Sequence, residues 1–355
     1  MSRAPRVTLL LAVVALAGAA IRPSGAGARI GSPIPTRFAQ GLDIPPRQQW
    51  NANSGYCGET SFLSAGLYFG QYTSQWTARA IASPGVAQSN PDSQLLLGVN
   101  DVAAARAMRL ETVTFYDRTQ RTVPSFFAWV KSNLLRGRPV IVGVLNNVRI
   151  LGEPLPGYRT YDHIVPVIGV GSGRSLARHA DRAFASDVLT FSDNGLFGAP
   201  GQTTPFVFSY RLWRLPKSRR AANRSDGAVY SLRDRPPNYA VAVTGVADLD
   251  GVTIPVRLTS DRDGEPEIPD PSDVPPAPVP ITLTATVTIP DPSVGYRLYR
   301  YADFADVPAA RFNASAALAA ESWTIPPGGG AELVVRIPTM SDATVVLRAV
   351  PASAP

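Results

Sequence analysis

The chain is poor in the two residues that most often carry chemistry: one cysteine and two histidines among 355 residues. A single cysteine excludes any intrachain disulfide, and one thiol with two imidazoles gives no spacing suited to a metal site. Charged residues are also sparse, at 17% against 45% apolar, which excludes a disordered polyampholyte. Beyond the N-terminus no apolar run is long enough to span a bilayer. The net charge of +7 is only a mild basic bias. Its one dense cluster, Arg211, Arg214, Lys217, Arg219, Arg220 and Arg224, follows an aromatic strand and reads as an exposed connection, not as a groove-entering or sheet element. A solvated connection is expected there, and nucleic acid is not expected as a partner.

At the N-terminus, Arg3 and Arg6 precede an apolar run from Val7 to Ala20, followed by small residues up to Ala28. This is the pattern of an export signal, taken as residues 1–28. Its removal takes Arg3, Arg6 and Arg22 away and leaves a net charge of about +4. The mature protein is then expected to be secreted, extracellular or periplasmic, with no membrane span. Exported proteins usually pair their cysteines. An unpaired thiol in an oxidising compartment invites damage, so Cys57 is expected to have a use.

Two regions follow. Between residues 29 and 234 the pattern gives helices first and strands later. Gly58 to Gly70 carries an apolar stripe, Gln94–Leu110 is a second helical stretch, and Pro124 opens a third that Gly137 ends. Strands are expected at Thr112–Tyr116, Pro139–Val144, Ile164–Val170, Asp187–Phe191 and Phe206–Leu212. The order suggests an α+β unit. From 235 to 355, seven short runs rich in Val, Ile, Thr and Tyr suggest an all-β, immunoglobulin-like sandwich: Tyr239–Gly245, Val252–Ser260, Ile281–Ile289, Tyr296–Tyr301, Ser322–Ile325, Ala331–Ile337 and Ala343–Val350. The proline-rich Glu265–Pro280 segment is read as a long loop within that sandwich.

Cys57 stands in QQWNANSGYCGETSF, after a glycine-containing turn and just before a helix. Unsatisfied N–H groups at a helix N-terminus lower a thiol's pKa, so a reactive thiolate is expected, with Gly58 leaving room for a substrate. A thiol nucleophile needs a base and a group to orient it. His179 lies in an Arg-rich polar stretch and is expected at the surface. His163 opens the apolar strand in YDHIVPVIGVG and is the candidate base. Asp193 and Asn194 follow the next strand, where either can reach His163.

Four segments in this order resemble the papain-like cysteine peptidases, in particular the branch that processes bacteriocin leaders at double-glycine sites. They are Cys57-Gly58-Glu59-Thr60-Ser61, Gly137-Arg138-Pro139-Val140-Ile141-Val142-Gly143-Val144, His163-Ile164-Val165-Pro166-Val167-Ile168-Gly169, and Asp193. The resemblance covers roughly residues 38 to 212. It implies a papain-like catalytic domain, with Cys57 as nucleophile, His163 as base and Asp193 as orienting acid, Asn194 being its rival. It also implies an oxyanion-hole glutamine. The family's usual position, six before the cysteine, is Asn51 here, so Gln49 is preferred, with Gln48 and Asn51 open. The implied activity is hydrolysis of peptide bonds in a peptide or protein substrate, without cofactor or metal. The β-rich region could bind a cell-surface polymer. A non-catalytic binding protein, or an acyltransferase or amidase on the same fold, is the alternative.

Overall fold

The computed structural model describes residues 34–115, 122–147, 161–194, 207–223, 229–262 and 273–354. The signal-like stretch 1–28, Arg224 and the first part of the proline-rich segment lie outside the described residues. The fold is mixed α/β, with few helices and almost wholly antiparallel sheets.

The apolar PVIVGV run forms a strand, Val140–Asn146 (β4), buried at every position, and so does His163–Ser172 (β5). Strands covered on both faces belong at a sheet's centre. There β4 pairs with β5 on one side and with Ala240–Val246 (β10) on the other. Leu110–Thr114 (β3) lies beyond β10, while Val188–Ser192 (β6) and Val207–Arg211 (β7) lie beyond β5. Phe38–Gly41 (β1) pairs along the far half of β5, Tyr230–Arg233 (β9) pairs with the end of β4, and the short Pro216–Lys217 (β8) runs parallel to β9.

Alternation along the strands divides the core in two. Val140, Val142 and Val144 face the helix Val123–Leu135 through Phe126, Phe127, Val130 and Leu134. Ile141, Ile164, Val241 and Val243 pack in the other cluster, with residues of Cys57–Tyr68 (α1), Gln75–Ala82 (α2) and Asp101–Ala107 (α3).

A second set of strands forms two smaller sheets around one shared apolar core. Val256–Ser260 (β11), Pro280–Thr288 (β12) and Glu332–Met340 (β15) make one sheet. Glu321–Ile325 (β14), Tyr296–Tyr301 (β13) and Val345–Pro351 (β16) make the other, to which Gln71–Tyr72 (β2) adds an edge. Ile281, Leu283, Ala285 and Val287 of β12 alternate with more exposed residues, the pattern of a strand with one buried face. Because β11 pairs with β12, the proline-rich segment joins two neighbouring strands of one sheet.

Three expectations need correction. The run Tyr239–Gly245 is not a strand of the smaller sheets: β10 sits inside the nine-stranded sheet, and its Ala-Val-Ala-Val start is fully buried, as a central strand requires. A boundary at 235 therefore cuts that sheet. Helix formation in Gln94–Leu110 is confined to α3, because the Leu95 and Leu96 amides bond instead to the side chains of Glu59 and Asn100, and Gly98 adopts φ +78°. Finally, α1 has no solvent face; Gly58 to Leu67 are all buried. Among the described residues no helix is long and apolar enough to cross a membrane.

Candidate active site around Cys57

Cys57 is the first residue of α1. Behind it, Gly58 is demanded by packing and not by substrate access, since a Cβ there would stand 2.0 Å from the Leu95 carbonyl oxygen. The first turn of α1 is tied to the start of β5. Ser61 Oγ lies 2.7 Å from Cys57 O and 3.2 Å from Ile164 O, sharing its hydrogen between them. Asn194, just past β6, donates from Nδ2 to the same two carbonyls, at 3.0 Å to Ile164 O and 3.5 Å to Cys57 O. Gln49 N donates to Asn194 O at 2.6 Å, which brings the segment before the helix to the same place. The structure thus gathers Cys57, His163, Asn194 and Gln49 from four separate parts of the chain.

The amides of Ile164, one residue past His163, and of Gly58 lie close enough to act on the Cys57 sulfur. Both amides favour the thiolate, yet they are outweighed. Burial, reinforced by the Glu59 carboxylate, pushes the thiol up to about 12. The low thiol pKa expected from the helix N-terminus is therefore not found, because desolvation exceeds the local amide field. Burial also pushes the His163 imidazole down to about 3, with Asn194 opposing it. A hydrogen bond that favours the charged ring is one the ring donates, so the Asn194 atom concerned is Oδ1. That contact is looser than a well-formed hydrogen bond. The resting pair is a neutral thiol and a neutral imidazole.

Asp193, the preferred orienter, is fully buried and accepts a hydrogen bond at Oδ1 from the Tyr230 hydroxyl. The Tyr230 ring lies 5.8 Å from the imidazole, centroid to centroid. Burial, and next the Asp193 charge, hold the Tyr230 hydroxyl protonated far above its ordinary range, so it stays a donor. Asp193 thus lines the ring's neighbourhood through Tyr230, while Asn194 is the side chain acting on the imidazole directly.

Among the three glutamine-position candidates, Gln49 is buried, with Oε1 making no hydrogen bond and Nε2 3.5 Å from where a Gly55 Cβ would stand. Gln48 is half-buried, with its carbonyl accepting from Gln75, and Asn51 is exposed. His179 sits half-buried in a one-turn 3-10 helix, its ring against Phe184. It lies on the connection between β5 and β6.

Several supporting residues escaped the sequence reading. Glu59 and Arg79 form a buried ion pair at 2.6 Å. Asp162, immediately before His163, accepts from Arg219 at 2.5 Å and from the Asn146 amide at 3.1 Å, so one arginine of the basic cluster has a structural partner. Gly143 makes room for the Tyr161 ring, which would stand 2.7 Å from a Cβ at that position. The available signal was a lone charged residue in each helix: Glu59 in α1 and Arg79 in α2.

A cleft of about 190 Å³ opens elsewhere, lined by Trp50, Trp76, Pro275, Pro276 and Asp342 among others; Cys57 and His163 are not part of it. Among the described residues no three His, Cys, Asp or Glu side chains converge on a metal-sized site. No family model, curated protein or solved structure matches this chain.

Proposed function

We propose that this chain is a secreted, papain-like thiol hydrolase of peptide or related amide bonds, with an immunoglobulin-like sandwich as its C-terminal part. The observation that carries the reading is the polar knot at the α1–β5 junction. Ser61 and Asn194 bind the carbonyls of Cys57 and Ile164, so the only cysteine is held beside the strand that begins at His163. Cys57 is the nucleophile and His163 the base. Asn194 orients the ring, with Asp193 supporting it through Tyr230. Gln49 and the Cys57 amide supply oxyanion donors.

Starting from a neutral pair, the reaction opens with transfer of the thiol proton to His163 as the sulfur attacks the acyl carbon. The carbonyl π pair moves to oxygen, where the donors hold it. As the C–N bond breaks, His163 returns the proton to the leaving amine. His163 then takes a proton from water, which attacks the thioester; the acid departs and the thiol regains its proton.

The test is turnover of a broad peptide library by the wild-type protein and by Cys57→Ala and His163→Ala. Each substitution should lower turnover by about 10³-fold or more. Strong cleavage remaining in Cys57→Ala would sink the assignment. The neutral Cys57–His163 pair, its cysteine half-buried and its histidine buried, favours a second reading, a papain-fold protein that binds without catalysis. Silence of the wild type across the library, with and without amine acceptors, would select it; product formation only with an acceptor would instead identify an acyltransferase.

A further inference from the structure

The segment leading into Cys57 has an unusual backbone. Asn53, Ser54 and Gly55 are consecutive residues at φ +52°, +65° and +85°. Two of the three carry side chains, and a left-handed run of this kind persists only where its surroundings determine it. What surrounds it is Arg79. Its guanidinium donates to Asn53 O at 2.8 Å, to Gly55 O, and to Gln88 O at 3.3 Å, and lies 3.6 Å from the centroid of the Tyr56 ring. Arg79 is in turn held by Glu59, whose Oε1 accepts from Arg79 Nε at 2.6 Å and from the Leu95 amide at 3.1 Å. Arg79 is 0% and Glu59 1% exposed.

We propose that the buried Glu59–Arg79 ion pair is the positioning element of the site: it clamps the left-handed turn and so fixes Cys57 two residues beyond it and the Gln49 side chain beneath Gly55. The inference rests on the thiol-hydrolase reading and names residues that act through the nucleophile and the oxyanion donor without touching substrate. An ion pair with no solvent access is a costly way to hold a turn. A structural task alone is served as well by apolar packing; this pair also places a carboxylate and a guanidinium within electrostatic reach of the thiol. The two act on it in opposite senses, Glu59 disfavouring the thiolate and Arg79 favouring it.

Charge and geometry can be separated because Glu59 uses a single oxygen for both bonds. Glu59→Gln keeps an oxygen in that place and removes only the charge. Arg79→Lys keeps the charge and removes the fork that grips two carbonyls of the turn. The experiment measures two rates at Cys57 across pH 7 to 11: alkylation by iodoacetamide, whose rising limb below the thiol's midpoint near 12 reads thiolate content and shifts with that midpoint, and inactivation by an epoxysuccinyl peptide, which also needs an intact oxyanion site. Glu59→Gln should move the alkylation midpoint down by about one pH unit or more, a tenfold gain in rate below the midpoint. Arg79→Lys should leave that midpoint in place and lower the epoxide rate relative to alkylation by about tenfold or more. Glu59→Asp, retaining the charge, should leave the midpoint near wild type and covers the case in which the glutamine variant does not fold.

An unmoved midpoint in Glu59→Gln overturns the inference. So does an unchanged rate ratio in Arg79→Lys, and so does a loss of stability in these variants with both profiles unaltered. Failure of the wild-type protein to react with the epoxide at any pH would instead strike the thiol-hydrolase reading itself.

Discussion

At the scale of single residues, the site is a contest between burial and a few hydrogen bonds, and burial wins at both Cys57 and His163. For His163 the consequence is thermodynamic. An unfolded chain binds a proton on this imidazole below its ordinary value near 6.5, whereas the folded protein resists until about 3. Its folded pKa is lowered, so the stability it contributes is complete above pH 6.5 and is lost as pH falls toward 3, at about 1.4 kcal/mol per pH unit at most. Urea midpoints at pH 7 and pH 5 should differ by this contribution in the wild type, and by less in His163→Gln; equal slopes in the two proteins would show that the ring titrates freely. Cys57 supplies the opposite edge, since its raised pKa costs stability only as pH climbs above the range where an unfolded thiol ionises. Asn194 and Asp193 should also separate. Asn194→Ala removes both the contact to the imidazole and the bonds to Cys57 O and Ile164 O, so turnover should fall by about 10²-fold or more, while Asp193→Asn keeps an acceptor for Tyr230 and should cost less. Steady-state rates decide the order, and the reverse order would make Asp193 the orienter.

At the scale of elements, strands were easier to read than helices, for a physical reason. β4, β5 and β12 announce themselves by composition, because a continuous apolar run or a strict alternation has few other stable settings. The Gln94–Leu110 stretch has helical periodicity, yet Leu95 gives its amide to Glu59, and a bond to so distant a side chain leaves no local trace. Helix α2 was missed although Ser74 caps it through the Thr77 amide; Gln75 and Arg79 face inward there, and their partners lie far off in sequence. The same holds within the site. Cys57 and His163 stand out because cysteine and histidine are rare in this chain, and Asp193 and Asn194 because they follow the strand paired with the one that His163 opens. Ser61, Arg79 and Tyr230 were not, because common residues become informative only once the fold shows what they touch.

At the scale of the molecule, the two sets of sheets share elements and cores. β2, from the connection between α1 and α2, completes the β13–β16 sheet, and Leu67 and Tyr72 are buried in its core. In return Tyr299, Tyr301, Phe304, Val307 and Phe312 enter the cluster that holds Phe62, Ile141 and Ile164. Arg348, buried without solvent contact, donates to Gln71 Oε1 at 3.0 Å and to Phe69 O at 3.5 Å across the same junction. Burial lowers its guanidinium to about 9, a cost borne where the two sets meet. Full burial of a side chain such as Leu67 or Tyr72 contributes about 1.5–3 kcal/mol. Removing the second set exposes several at once, against a total stability of only about 5–15 kcal/mol for a typical domain. A fragment ending at residue 247, which keeps β10, should therefore fail to fold, and the full chain should unfold in one calorimetric transition. Ending at 234 should fare no better, since it also removes β10 from between β3 and β4. Two resolved transitions in the full chain, or a 34–247 fragment melting cooperatively near the parent temperature, would show instead that the nine-stranded sheet and its helices stand alone. Helix α1 joins both sets, carrying Cys57 at one end and Leu67 near the other, so loosening the junction should reach the thiol through one buried helix. Leu347→Ala, in the core that receives Leu67 and remote from Cys57, should then speed iodoacetamide alkylation at pH 7 before any global unfolding is seen by circular dichroism.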